Sequence, residues 1–206
     1  MIRRIAASAL FAAVSLAWLP VASAQHTNTH GIVTINGEMA VPVYSFRNVQ
    51  ERVSFRGFGA DVRYFLHDMF SLGGSTSIQL FNDEFSNRTI TRPDGAVTAT
   101  LHEYTQFWQV RGVAHYYPLG RAAVAPYIGV AAGYGWANRL TLVTDLSLQD
   151  TASAFVVTPE LGALFNIGDS PAGLMASARY NFSTASPERV DSLSFLSFTL
   201  GGYVGY

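Results

Sequence analysis

The chain has 206 residues, a length that suits one domain, and it contains no cysteine, so no disulfide can brace its fold. All 13 basic side chains are arginine, and with 14 acidic residues they give a formal net charge of −1. This balance argues against a nucleic-acid partner, because such partners are bound through an excess of positive charge.

The first residues predict a secretory signal peptide. Two arginines precede an apolar stretch over residues 5–19, and residues 22–24 form the Ala-Ser-Ala pattern that signal peptidase recognises. We therefore expect a signal peptide over residues 1–24, export through the general secretory pathway, and a mature domain over residues 25–206. An N-terminal membrane anchor is the alternative, but the apolar stretch is shorter than the roughly 20 residues that span a bilayer.

From Gly31 onward, apolar residues alternate with small or polar residues, and this period of two predicts β-strands. Eight segments alternate in this way, with apolar faces over residues 33–41, 58–66, 72–80, 108–116, 128–136, 157–165, 174–182 and 196–206. Each is long enough for the roughly 9–11 residues of a tilted transmembrane strand. Beyond the signal peptide, no apolar run in the sequence is long enough for a transmembrane helix. The expected fold is all-β, a transmembrane antiparallel up-and-down β-barrel of about eight strands.

The connections between these segments alternate in length. Residues 67–69, 118–121 and 168–171 are short and turn-like, whereas the segment from Asn82 to Thr100 and residues 138–152 and 185–191 are longer and more polar. The first connection, near residues 47–52, is modest. Short periplasmic turns and longer external loops are typical of outer-membrane barrels, so both termini are expected in the periplasm. Aromatic residues mark the predicted strand ends, as interfacial girdles do: Tyr116, Phe165 and Tyr206 at one end, and Trp136, Tyr180 and Phe182 at the other.

Charged residues occupy the faces opposite the apolar ones. Because a charge facing lipid at the bilayer midplane costs about 2–4 kcal/mol, we expect these side chains to point into the barrel. The predicted interior network comprises Glu38, Asp61, Arg63, Arg111, Glu160 and Arg179. Side chains about fill an eight-stranded barrel, so the three carboxylates are expected to pair with the three arginines. Two interpretations remain open: the network fills and rigidifies the barrel, or it lines a narrow polar conduit.

The sequence offers little support for an enzyme. Outer-membrane barrel hydrolases and acyltransferases need a nucleophile, a base and an orienting carboxylate at one membrane depth. His115 is the only histidine inside a predicted strand body, it belongs to the inward face, and no His-x-Ser pair lies on a predicted strand. No glycine motif for phosphate binding is present either. We therefore predict no catalytic residue, no cofactor and no metal.

The chain resembles the small outer-membrane β-barrel superfamily of OmpA-like and OmpX-like proteins, over the barrel domain only. The resemblance rests on the signal peptide, on residues 126–135 (PYIGVAAGYG) and on the terminal strand 198–206 (FTLGGYVGY), and it covers essentially the whole mature chain. Family members usually end in phenylalanine, which the barrel-assembly machinery is thought to read. Tyr206 takes that position here and keeps the terminus aromatic.

The resemblance implies several possible roles, since family members act as structural wall proteins, adhesins, small pores or lipid-modifying enzymes. The first hypothesis is a non-enzymatic integral outer-membrane protein with a structural or surface-interaction role. Its expected partners are outer-membrane lipids and lipopolysaccharide, the barrel-assembly machinery through Tyr206, and a surface partner through the segment from Asn82 to Thr100. The alternatives are a small passive pore, a lipid-A-modifying enzyme, and a periplasmic lipocalin-like barrel whose apolar faces would point inward.

Overall fold

The structure is a computed structural model that describes residues 29–47, 50, 52–92, 95–143, 146–168, 170–184 and 193–206. The predicted signal peptide and the predicted loop over residues 185–191 lie outside these ranges. No helix in the described ranges is long and apolar enough to cross a bilayer.

Eight antiparallel strands form a closed barrel, which confirms the predicted fold class. The strands are β1 (Gly31–Pro42), β2 (Ser54–His67), β3 (Phe70–Arg92), β4 (Gly95–Tyr116), β5 (Val124–Val143), β6 (Leu146–Asn166), β7 (Ala172–Ser183) and β8 (Phe195–Gly205). One helical turn, α1 (Tyr44–Arg47), lies between β1 and β2. Each strand pairs with its neighbours in sequence, and β1 pairs with β8 to close the wall, so no strand edge remains along the barrel itself.

The period of two in the sequence places apolar side chains on the outside. On neighbouring strands, Ile35 is 56 % exposed and Leu200 is 69 % exposed, whereas Thr34 and Thr199 on the opposite faces are buried. An apolar outer surface suits lipid, because only every second residue of such a wall meets the hydrocarbon. The alternative of a soluble lipocalin-like barrel, with apolar faces inward, is therefore wrong.

Short turns join the strands at the end that also holds the two chain ends of the barrel, as predicted. Asp68 and Met69 alone separate β2 from β3. The connections after β4 and β6 contain Gly120 and Gly168, with φ of +59° and +55°, values that glycine adopts without the steric penalty of a side chain. Tyr206 donates its backbone N–H to the carbonyl of Gly31 at 3.0 Å beside these turns. We call this the turn end, and the opposite end the hairpin end.

At the hairpin end the prediction of a loop from Asn82 to Thr100 is wrong. β3 and β4 continue through this segment as a paired hairpin as far as the cross-strand pair of Arg92 and Gly95, and residues 93–94 lie outside the described ranges. Residues 138–143 and 146–152 likewise form the paired ends of β5 and β6, and residues 144–145 lie outside the described ranges. Cross-strand neighbours such as Ile90 and Val97 have the β-branched side chains that favour strands. The polar run over residues 82–88 leads to the loop prediction, because a hairpin beyond the wall needs no apolar face toward lipid.

The four middle strands consequently extend beyond the rest of the wall. β3 to β6 contain 23, 22, 20 and 21 residues, whereas β1, β2, β7 and β8 contain 12, 14, 12 and 11. Pairing between β2 and β3 ends at Arg56 and Leu80, so the rest of β3 rises above the barrel rim.

Candidate functional site

The lumen holds all six charged residues of the predicted interior network. They are 0–5 % exposed and lie on the inward faces of β1, β2, β4, β6 and β7: Glu38, Asp61, Arg63, Arg111, Glu160 and Arg179. The strand register brings some of them together directly, since Glu160 of β6 stands opposite Arg179 of β7. Three carboxylates face three guanidinium groups, so the network has no formal net charge.

Four of these residues form one ion-pair cluster. Arg179 contacts both carboxylates, with Nη2 3.0 Å from Oδ2 of Asp61 and Nε 3.0 Å from Oε2 of Glu160. Arg63 does the same, with Nη2 3.2 Å from Oδ2 of Asp61 and 3.7 Å from Oε1 of Glu160. Each charge therefore has two opposite charges beside it, and removing any one leaves the others buried and partly uncompensated.

Arg111 and Glu38 are placed differently from the predicted pairing. Nε and the two terminal nitrogens of Arg111 donate hydrogen bonds of 2.9–3.2 Å to the neutral oxygens of Ser75, Ser77, Thr158 and Asn181. The register explains this, because Ser75 of β3 stands directly opposite Arg111 of β4. Oε2 of Glu38 has no hydrogen-bond partner among the described residues. The alternation of inward and outward residues along each strand predicts that such residues lie in the lumen, but it does not predict which residues they contact.

Two tyrosines complete the cluster, and neither is among the site residues predicted from the sequence. The hydroxyl of Tyr127 donates to Oε1 of Glu160 at 2.6 Å, and the hydroxyl of Tyr117 accepts from Nη1 of Arg63 at 3.3 Å. Cζ of Arg63 also lies 4.9 Å from the centre of the Tyr127 ring, within the range of a cation–π interaction. The same parity that turns Ile128 outward turns Tyr127 inward, so the strand pattern could have identified it.

Apolar side chains close the lumen at the turn end. This turn-end plug consists of Ile32, Tyr117, Ala125, Tyr127, Leu164, Met175 and Tyr203. The rings of Tyr117 and Tyr127 lie 5.4 Å apart, and Phe65 lies 5.5 Å from Tyr117. Between the ion-pair cluster and the turn end, packed rings and aliphatic groups therefore fill the barrel across its width.

A second apolar cluster closes the hairpin end. This hairpin-end plug consists of Ala40, Phe46, Phe81, Phe107, Ala137, Ala154, Val156, Leu193 and Phe195. Phe46 comes from α1 and packs edge to face on Phe81 at 5.0 Å, and Phe81 contacts Phe195 at 5.5 Å. Tyr44, at the start of α1, takes a φ of +52°, a conformation that costs a residue other than glycine about 1–2 kcal/mol. Phe46, two residues further along this turn, is 2 % exposed.

The buried polar residues between the two plugs form what we call the polar belt, which includes Asp61, Arg63, Arg111, Glu160 and Arg179. Its burial decides whether the lumen is open. A conduit wide enough for hydrated ions would leave its lining accessible to water, yet Arg63 is 0 % exposed and Arg111 is 3 % exposed. Side chains therefore fill the lumen from plug to plug, as expected for eight strands.

One histidine is buried beside the ion-pair cluster. His115 lies in the lumen at 2 % exposure, with Nε2 3.6 Å from Oε2 of Glu160, and has no route to lipid or solvent. Within the part of the chain that the structure describes, no group of three or more histidine, aspartate or glutamate side chains is placed to hold a metal ion.

Comparisons with known proteins agree with this architecture. The family profile described as "Outer membrane protein beta-barrel domain" matches residues 8–204. The fold is similar to that of Neisserial surface protein A (NspA), with a TM-score of 0.53 and 14 % identity over 86 % of this chain and 98 % of that one. It is also similar to OprG from Pseudomonas aeruginosa, with a TM-score of 0.51 and 12 % identity over 86 % of this chain and 96 % of that one. Ail of Yersinia pestis has a TM-score of 0.49 at 12 % identity, over 85 % of this chain and 96 % of that one. No curated protein matches the chain in sequence, and identities this low concern the fold alone.

Proposed function

Because the chain belongs to the outer membrane protein β-barrel family, and is therefore an outer-membrane protein, we propose that it is a non-conducting, non-enzymatic barrel that presents its long hairpins at the cell surface. Export follows from the predicted signal peptide over residues 1–24. With the short turns in the periplasm, as is usual for such barrels, the hairpin end faces outward.

The closed lumen carries the first half of this proposal. The turn-end plug, the polar belt and the hairpin-end plug follow one another along the barrel, and the charged side chains between the plugs are nearly inaccessible. The fixed charges then stiffen the wall and hold it in one arrangement, which supports the structural interpretation of the network over the conduit. The small-pore alternative would require both plugs to move.

The extended strands carry the second half. A strand needs about 9–11 residues to cross the membrane, whereas β3 contains 23 residues and β4 contains 22. At about 3.4 Å per residue, the excess corresponds to roughly 40 Å of strand beyond the wall. Such an ordered projection is not needed to span a bilayer, and it supports a role in contact with a surface partner.

The lipid-A-modifying alternative finds no support in the described residues. Such an enzyme needs its catalytic groups where a lipid can reach them. His115 is sealed in the lumen beside Glu160, between Tyr117 and Tyr127 of the turn-end plug, with the centres of its ring and the Tyr127 ring 5.0 Å apart. We therefore propose a structural role for this histidine.

Assembly is expected to use the C-terminal strand. β8 pairs with both β7 and β1, so its addition closes the barrel, and Tyr206 lies at its end. We propose that the barrel-assembly machinery receives this strand, with the aromatic ring of Tyr206 in the position that phenylalanine usually holds in the family.

Shortening one hairpin at a time tests the surface role. Asn82 and Tyr104 are cross-strand partners, so an Asn-Gly turn can join them and remove the projecting part of β3–β4. Leu140 and Gln149 allow the matched shortening of β5–β6. We expect both variants to insert, as judged by heat-modifiable migration in gels, and at least one to lose the attachment to surfaces that expression of the parent confers on cells. If attachment is the same for the parent and both inserted variants, the surface role is wrong.

A further inference from the structure

A cleft lies on the outward face of the barrel near the hairpin end. It has a volume of about 370 Å³ and spans β2 to β5. The residues that matter for its chemistry are Arg56, Leu80, Asn82, Tyr104, Gln106 and Asn138. Arg139 lines it as well, so two guanidinium groups, three amides and a phenol surround an opening beside the apolar wall. Of the two arginines, Arg56 is exposed, whereas Arg139 is 7 % exposed.

A β-bulge in β2 lies directly beside Arg56, the exposed cation of this cleft. Glu38 of β1 pairs with Gly57, and Ala40 pairs with Ser54, so two residues of β2 stand opposite the single residue between them on β1. Those two residues are Phe55 and Arg56, and both are exposed. Arg56 stands opposite Leu80 and keeps the outward alternation of Phe58, so the bulge turns Phe55, which would otherwise enter the lumen, outward beside it. Bulges of this kind re-aim side chains and are frequent beside functional sites.

The cleft has hydrogen-bond donors and a cation to offer a ligand. The guanidinium group of Arg56 forms no ion pair with any described residue, whereas Arg121 at the turn end pairs with Asp68 at 3.2 Å. A row of cross-strand neighbours runs from Arg56 across the next three strands, through Leu80, Gln106 and Asn138. Oδ1 of Asn138 accepts from the hydroxyl of Thr151 at 3.1 Å, which leaves the amide N–H groups of Asn138 to donate.

The position of the cleft along the barrel indicates what it meets. Trp108 and Trp136 form a cross-strand pair two residues closer to the turn end, and both are partly exposed on the outer face. Tyr116, at the other end of β4, is eight residues from Trp108, which corresponds to about 20 Å across a membrane for a strand tilted by about 40°. The two aromatic levels therefore bracket the hydrocarbon, and the cleft lies at headgroup depth on the hairpin side.

We propose that this cleft binds the phosphate-bearing headgroup of a lipid in the outer leaflet. Arg56 provides the counter-ion and can donate two parallel hydrogen bonds to phosphate oxygens. Gln106 and Asn138 donate to the remaining polar atoms of the headgroup, and the acyl chains lie along Leu80 and Trp108. The site does not depend on whether the lumen conducts.

Lipid binding to the refolded mature chain tests the site. Native mass spectrometry in detergent compares lipid A that carries both phosphates with the same lipid after both phosphates are removed. We expect the parent to retain the phosphorylated form, and Arg56→Gln to bind it about tenfold more weakly, the loss of one charge-assisted interaction. Arg56→Lys keeps the charge but not the paired donors and should fall between them. Arg47→Gln is the matched control, because Arg47 is an exposed arginine at the same end that does not line the cleft.

Three outcomes would overturn the proposal. One is equal retention of the phosphorylated lipid by the parent and by Arg56→Gln, with both shown to be folded by heat-modifiable migration. Another is equal retention of the two lipids by the parent, which would reduce the cleft to ordinary apolar contact with acyl chains. The third is full displacement of the lipid by millimolar inorganic phosphate, which would make the ligand a free anion rather than a lipid.

Discussion

Replacing Arg179 by methionine should destabilise the barrel more than any other single loss of charge. Arg179 contacts both Asp61 and Glu160 at 3.0 Å and is 2 % exposed. Its removal leaves two buried carboxylates that share Arg63 alone among the described arginines. Breaking a buried ion pair from one side costs about 3–5 kcal/mol, and we expect a loss of that size in the free energy of unfolding. Arg47, an exposed arginine on α1, provides the control, and Arg47→Met should cost at most about 1 kcal/mol.

The double variant Arg179→Met, Glu160→Gln tests whether the loss comes from charge imbalance. It removes one charge of each sign from directly opposite positions, so the lumen is again neutral. We expect its cost to fall short of the sum of the single variants by about 2–3 kcal/mol. Urea titrations in lipid vesicles supply the free energies, with the fluorescence of Trp108 and Trp136 reporting insertion because both side chains lie on the lipid-facing wall. Strictly additive effects, or a loss below about 1 kcal/mol for Arg179→Met, would refute the coupled network.

Three further variants probe the wall and the turn-end plug. Pro159 has no N–H to donate, and it lies where the pairing of β6 with β7 is interrupted. Pro159→Val should therefore slow amide hydrogen exchange between β6 and β7 and stabilise the barrel by about 1 kcal/mol. Gly133→Ala should abolish refolding in gel-shift assays, because a Cβ there would collide with the backbone of β4. Gly112→Ala should refold normally, since its Cβ would lie 3.9 Å from the nearest atom. Tyr127→Phe should cost about 1.5–3 kcal/mol in urea titrations, since it removes a hydrogen bond to a buried carboxylate, and Tyr134→Phe on the outer wall should cost almost nothing.

Much of the barrel is predictable from the sequence because the wall imposes a strict rule on every strand. Outward positions must be apolar and inward positions must accommodate a crowded polar lumen, so a period of two reveals both the strands and their faces. Ile35 and Thr34 illustrate the rule on β1, and all six predicted network residues lie inside. The positions of the turns are equally predictable where a positive φ requires glycine, as at Gly120.

The sequence leaves open the features that depend on tertiary register. Arg111 and Arg179 are both inward arginines, yet one binds neutral oxygens and the other binds carboxylates, because only the register decides which residues lie across the lumen. Phe46 lies on a helical turn outside any strand pattern, so its insertion into the hairpin-end plug has no local signal. The projecting part of β3–β4 has no lipid-facing side, and for that reason its sequence resembles a polar loop.

Single-channel recording on the refolded mature chain in planar bilayers tests the closed lumen most directly. We predict stable insertion without current steps for the parent, because the two plugs and the buried belt leave no continuous path. A variant with Phe46, Phe81 and Phe195 replaced by alanine loses much of the hairpin-end plug and shows whether that end alone blocks the path. Regular current steps from the parent, with a conductance altered by Arg111→Ala or Glu160→Ala, would contradict the account and establish the lumen as a pore.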